Sequence, residues 1–242
     1  MKTKLWIYGL LFFSVSALGA PKTSKHAPPL LGDVAPSFTA KSTNGTISFP
    51  KDFGTSWKIL FSHPRDFTPV CSSEIIQLAT MQEDFENMGV KIAVISTDSL
   101  SQHLMWKKAL EEINYKDRPR VTINFPLIAD ENYSVSLQYG MIHKKYDKGM
   151  DVRGVFIINP ENKICAIYFY PTQIGRNMDE IKRTVQALQV ASRNCVLPAN
   201  WKPGEDVMVP HFPLSQKELE AKPQLINEYY NYGPFMWFRK VN

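Results

Sequence analysis

An α/β domain built around a mixed sheet, followed by a smaller C-terminal unit, is the architecture the chain predicts. Three observations carry that prediction. Apolar runs of strand length alternate with stretches whose apolar residues recur at helical spacing. Val155–Ile158 and Ile164–Tyr170 flank the turn-rich Asn159-Pro160-Glu161-Asn162, the pattern of a hairpin. From Leu197 the texture changes, with Pro198, Pro203, Pro210, Pro213, Pro223 and Pro234 spaced through the tail. The expected division is a leader over 1–20, a main domain over 30–196 and a C-terminal domain over 197–242.

In chain order, residues 21–29 form a polar, proline-containing tail, and Leu30 to Phe38 enters the domain. Ile47-Ser48-Phe49 is a short strand before the Lys51–Gly54 turn. Trp57 to Phe61 is apolar enough for an interior strand, and Pro64 stops it. The next helix shows apolar positions at Ile75, Leu78, Ala79, Phe85 and Met88, with Gly89 as its C-terminal signal. Val90 to Ser96 is a buried strand. Ser101 to Ile113 is helical, with Leu104, Ala109, Leu110 and Ile113 as its expected inner face. Phe125 to Ala129 is a short strand and Tyr133 to Tyr139 a short helix. After the hairpin, Asn177 to Ala191 closes the domain as an amphipathic helix.

The net charge is +5, and Lys2 and Lys4 belong to the leader, so without them it falls by two to +3. No Lys/Arg cluster is dense enough to argue for nucleic acid. The leader has a basic start, an apolar run from Leu5 to Val15, and small residues at Ala17 and Gly19 for cleavage. That run is short for a membrane span. The expectation is a cleaved secretory signal and a secreted or periplasmic protein with no membrane role afterwards; a retained anchor is the alternative. The three cysteines, Cys71, Cys165 and Cys195, are an odd number, so in an oxidising compartment at least one thiol is unpaired within the chain. Cys165 falls in an alternating strand pattern, and Cys195 lies near a helix end. The five histidines are scattered and no Cys-x-x-Cys occurs, so no metal-ligand spacing is present.

One stretch organises the chain: Leu60 to Glu74, a strand running through a loop into a helix. Thr68 followed by Pro69 reads as an N-cap with proline at the first helical position, where a missing N–H costs nothing. Cys71 then falls at the third helical position, among unpaired N–H groups and the positive end of the helix dipole. A thiol there is biased towards thiolate, the nucleophilic form. A buried structural cysteine is the bland alternative, but cap, proline-rich loop and helix start converge on one sulfur.

Pro64, Thr68 and Cys71, separated by three and two residues, match the active-site pattern of the peroxiredoxins. The run from Phe61 to Cys71 resembles the one-cysteine subgroup, and further matching pieces extend from Leu31 through nearly the whole chain. The resemblance implies a thioredoxin-like fold with peroxiredoxin additions and a C-terminal domain that packs onto a partner in a homodimer. It implies a thiol-dependent peroxidase that takes hydrogen peroxide or organic hydroperoxides, forms a sulfenic acid at Cys71, and is reset by an external thiol reductant without a cofactor.

Thr68 would hold the peroxide and Pro64 would shield the sulfur. Arg153 matches the family's active-site arginine, and Arg176 its second arginine, with Glu74 as the expected partner of Arg176. His63 matches a histidine that lies near the sulfur in the subgroup; a packed histidine that only satisfies backbone fits as well. Some one-cysteine relatives also hydrolyse lipids. Ser56 aligns with their serine, but Pro50 stands at the histidine position and Glu161 at the acid, leaving the hydroxyl without a base. That activity is not expected. Two other readings stay open: a two-cysteine enzyme resolved by Cys195 or Cys165, and a redox-sensing or chaperone protein without turnover.

Overall fold

The computed structural model describes residues 27–116, 118–146 and 149–241; the expected leader over 1–20 lies outside the described residues. Its frame is a seven-stranded sheet. The strands are β1 (Phe38–Ser42), β2 (Gly45–Phe49), β3 (Trp57–Ser62), β4 (Val90–Ser96), β5 (Leu127–Ala129), β6 (Arg153–Ile158) and β7 (Ile164–Tyr170). Their spatial order is β2-β1-β5-β4-β3-β6-β7. β3, β4 and β5 run parallel, and β6 returns antiparallel against β3 before the β6–β7 hairpin.

The central strands read as continuous apolar runs because both faces are covered. Ile59, Phe61, Ile92, Val94, Val155 and Ile157 pack on one face. Leu60, Ala93, Ile95, Phe156 and Ile158 pack on the other. That two-residue alternation fixes the register, since a one-residue slip would exchange the two faces. The first face is covered by α1 (Pro69–Thr80), α2 (Gln82–Asn87), α3 (Leu100–Glu111) and α5 (Met178–Ala191). The second receives Val135 of α4 (Ser134–Gln138), Tyr139, Met141 and Phe49.

Four sequence expectations change. The helix expected to run through to Gly89 breaks at Met81, whose backbone (φ −103°, ψ 2°) caps α1 and opens α2. A strand, β1, occupies 38–42, beginning at the last residue of the expected entry stretch and continuing where no element is expected. α3 starts earlier, because Ser99 and Gln102 form a reciprocal capping box. Its inner face is also different: His103, Trp106 and Leu110 are buried, whereas Leu104 and Ile113 are 49% and 41% exposed.

From residue 197 the chain forms a separate small sheet, β8 (Val207–Val209), β10 (Trp237–Arg239) and β9 (Tyr229–Asn231) in that order, with α6 (Gln216–Ala221) between β8 and β9. It is tied to the main domain by Arg183, which donates to the Trp201 carbonyl at 3.1 Å. Trp201 is buried and its indole N–H donates to the Glu205 carbonyl. No helix among the described residues is long and apolar enough to cross a membrane.

Candidate active site

The site is assembled where β3 ends and α1 begins. Pro64 is buried in the connecting loop, and Phe67 turns the chain with φ 56°, in the left-handed region that a bulky side chain seldom adopts. Strain of this kind persists only where surrounding structure holds it, and it gathers at functional sites. Thr68 is the cap residue in backbone terms, with its carbonyl accepting from Ser72 N–H at 2.9 Å. Its side chain does not cap the helix, contrary to the sequence expectation; the hydroxyl donates instead to the Arg65 carbonyl at 2.9 Å. Its oxygen lone pairs stay available to an incoming donor.

Cys71 is the third residue of α1 and fully buried. The first residue of β6, Arg153, is 2% exposed and places Nη1 3.3 Å from the Cys71 sulfur. The same nitrogen donates to Glu74 Oε2 at 2.7 Å, and Nε donates to the Thr172 carbonyl at 3.0 Å. Glu74 lies one turn beyond Cys71 and also receives Arg176, through Nε and the backbone N–H at Oε1 (2.9 and 2.7 Å) and Nη2 at Oε2 (2.7 Å). Arg176 completes its donors on the carbonyls of Ser62 and Gly154, and its guanidinium carbon lies 3.3 Å from the Phe61 ring centroid.

Burial alone would raise the Glu74 carboxyl, but Arg176 and then Arg153 outweigh it and hold it below its ordinary value. Two buried cations thus share one buried anion, and one of the cations touches the sulfur. Gly154 permits the close packing of β6 on β3 at this point, since a Cβ there would lie 2.8 Å from Ser62 Oγ.

His63 is fully buried, and its ring turns to the carboxylate of its own loop: its Nε2 lies 2.8 Å from Asp66 Oδ1. The second carboxylate oxygen of Asp66 is 2.8 Å from Nδ1 of His103, whose Nε2 is 3.0 Å from the Ile128 carbonyl. This trio brings metal-ligating atom types within 4.8 Å of one another, and all of its ring nitrogens and carboxylate oxygens except His63 Nδ1 are engaged in hydrogen bonds. Neither Asp66 nor His103 stands out in the sequence as a site residue. Asp66 lies within the organising stretch, and the signal for His103 was its place on the true inner stripe of α3.

Cys165 is half-buried on β7 and Cys195 is buried beyond α5, and both are free thiols. Burial pushes the Cys165 thiol up. Ser56 precedes β3, at the opposite end of that strand from the Cys71 loop.

A thiol at a helix start, pressed against an arginine at the end of a thioredoxin-like sheet, defines a thiol-dependent peroxidase. Comparison with known proteins agrees. Residues 31–167 match the AhpC/TSA family, and residues 187–221 match the C-terminal domain of 1-Cys peroxiredoxin. The chain is 50% identical over 184 residues to a peroxiredoxin of Methanosarcina mazei, covering 75% of this chain and 84% of that one. It is 43% identical over 185 residues to Peroxiredoxin-6 of Homo sapiens, covering 74% and 82%. A solved yeast mitochondrial 1-Cys peroxiredoxin superposes with a TM-score of 0.75 at 33% identity, over 88% of this chain and all of that one. The chain belongs to the AhpC/TSA family of peroxiredoxins and is of the 1-Cys type.

Proposed function

We propose that this protein reduces hydrogen peroxide and small organic hydroperoxides at Cys71 by a one-cysteine cycle, as a homodimer working outside the cytosol. The observation that carries the reading is the 3.3 Å contact of Arg153 with the Cys71 sulfur, in a buried site where Glu74 fixes the arginine. The Cys71 thiolate attacks the terminal peroxide oxygen; an S–O bond forms, the O–O bond breaks, and the alkoxide or hydroxide leaves and takes a proton. Arg153 supplies positive charge where negative charge is transferred. Thr68 Oγ1, its own hydrogen committed to Arg65, accepts the peroxide O–H. Pro64 helps keep water from the sulfur.

An external thiol then attacks the sulfenic acid and expels water, and a second thiol releases Cys71 as a disulfide forms between the two reductant molecules. The dimer is supported by apolar and aromatic residues left exposed in the tail: Phe235 at 77%, Tyr232 at 67% and Ile226 at 51%. The location rests on the leader sequence. The test is peroxide consumption with dithiothreitol as reductant, compared with Cys71→Ser, which should lose it. Full activity in that variant overturns the reading.

A further inference from the structure

Asp151 lies two residues before Arg153, at the foot of β6, and is fully buried. A buried carboxyl is normally paired with a cation or held by several hydrogen bonds. Here both carboxyl oxygens and the Ser136 hydroxyl that faces them are engaged by no other group among the described residues. The donors nearby are already taken. Asp130, after β5, accepts from the Ser134 hydroxyl and from the N–H groups of Val135 and Ser136. Asp98, after β4, accepts from the Ser96 hydroxyl and the Asp66 N–H. Burial pushes the Asp151 carboxyl well above its ordinary value; the Ser136 hydroxyl opposes, and the Asp130 and Asp98 carboxylates add to the rise. These three carboxylates do not gather as a cation site, since among the described residues three ligand groups come within 4.8 Å of one another only in the His63–Asp66–His103 trio.

The same few residues set where β6 begins. The Ser136 carbonyl accepts from the Met141 N–H at 2.7 Å, and the Met141 carbonyl accepts from the Val152 N–H at 2.9 Å. Ser62 Oγ donates to the Val152 carbonyl at 2.7 Å and accepts from the Gly154 N–H at 2.9 Å. Arg153 stands between these two anchored residues, and its Nη1 lies 3.3 Å from the Cys71 sulfur. A chain of hydrogen bonds thus runs from α4, past Asp151, to the arginine at the sulfur.

We infer that Asp151, held as a neutral acid against Ser136, is a positioning residue for Arg153, and that loss of its proton in base withdraws the arginine from the Cys71 sulfur. This rests on the peroxidase reading. The charged and titratable groups around Asp151 are Asp130 after β5, Asp98 between β4 and α3, and Arg153 on its own strand, whose guanidinium is committed to Cys71, Glu74 and Thr172. An ionised Asp151 would set three carboxylates around one hydroxyl, away from water, with no cation to offset them. Moving residues 151–152 outwards relieves that repulsion, breaks the Met141–Val152 link and draws the first residue of β6 with it. The proton passes to solvent base, and no covalent bond changes.

The test uses the full-length protein. In the unfolded chain the Asp151 carboxyl ionises above about pH 4, whereas the folded one keeps its proton, so its contribution to stability falls as pH rises. An amide at that position does not titrate. The melting temperature of Asp151→Asn relative to wild type should therefore climb by about 3–5 °C per pH unit from acid to neutral pH. Stopped-flow mixing with hydrogen peroxide, with the Asp151 carboxyl carbon followed by carbon-13 NMR, gives the second reading. The wild-type rate of Cys71 oxidation should fall reversibly, on the order of 10²-fold, as that carboxyl ionises above neutral pH. Asp151→Asn should show no such fall, and Ser136→Ala, which removes the opposing donor, should move it to higher pH. An acid with a structural role alone would not tie the rate to its own titration. The inference is overturned by a melting difference that does not grow with pH, or by a carboxyl ionised at neutral pH or still protonated wherever the protein stays folded. It is equally overturned by a rate that ignores the titration, or by a fall in Ser136→Ala at the wild-type pH. If Asp151→Asn does not fold, the wild-type titration, the wild-type rates and Ser136→Ala decide. Rates that ignore the titration in an active wild type leave the peroxidase reading standing; a wild type that consumes no peroxide at any pH overturns both.

Discussion

Replacing Glu74 by alanine should destabilise the protein and slow peroxide reduction together. Glu74 is 3% exposed, and its carboxylate accepts from Arg153 Nη1 and from Nε, Nη2 and the backbone N–H of Arg176. Alanine would leave two guanidinium groups in the interior without their shared counter-charge. Arg153 would keep the Thr172 carbonyl, and Arg176 those of Ser62 and Gly154, none of which carries a full charge. Breaking a buried pair from one side costs about 3–5 kcal/mol. In a chain of this size each kcal/mol moves the melting temperature by about 2–4 °C, so the expected fall is roughly 6–20 °C.

The pH dependence carries a second signature. The Glu74 carboxyl is depressed on folding, because Arg176 and Arg153 outweigh the effect of burial. Its contribution is therefore complete above the ordinary carboxylate range and is lost as pH falls through the depressed folded value. The wild type should lose stability on that acid limb, and Glu74→Ala should lose less there. Thermal melts followed by circular dichroism across pH, with stopped-flow peroxide oxidation at neutral pH, measure both effects. A variant that melts within about 1 °C of wild type and reacts at the wild-type rate would refute the idea that Glu74 holds the two arginines.

Thr68→Val should keep the fold, since the Thr68 side chain makes no cap bond, yet lose about two to three orders of magnitude in peroxide rate; a near-normal rate in steady-state assays would show that the hydroxyl serves only Arg65. Alanine at both Cys165 and Cys195 should leave turnover with a small thiol largely intact, since the one-cysteine cycle uses neither sulfur; a peroxide-induced disulfide on non-reducing gels that vanishes with Cys195 would contradict this. Truncation after Ala199 removes β8, β9, β10 and α6, and should convert a dimer into a monomer or an aggregate by light scattering. A full-length monomer, or a truncated protein that stays dimeric with unchanged activity, would assign the tail to its own domain alone.

The parts of the fold legible in the sequence are those where one physical signal dominates. β3, β4 and β6 read as strands because both faces are buried, and the Thr68-Pro69 pair marks the start of α1 through proline's fixed φ. The inner face of α3 is not legible in the sequence, because Leu104 and Ile113 are apolar yet lie outside, while His103 lies inside, satisfied by Asp66 and Ile128. Hydrophobicity alone cannot reveal a buried imidazole whose partners are distant in sequence. The break at Met81 was hidden as well, because no glycine or proline announces it. In the site, Cys71, Thr68 and Pro64 are local and readable from the loop. Arg153 and Arg176 join it from 79 and 102 residues beyond Glu74, so only the family resemblance placed them there.

The most direct measurement is mass spectrometry of the reduced full-length protein after one equivalent of hydrogen peroxide, with dimedone present to trap sulfenic acid. A single adduct on Cys71, with Cys165 and Cys195 recovered as thiols, is the predicted result. An adduct on another cysteine, or a disulfide joining Cys71 to Cys195 in place of the adduct, would contradict the one-cysteine mechanism at Cys71.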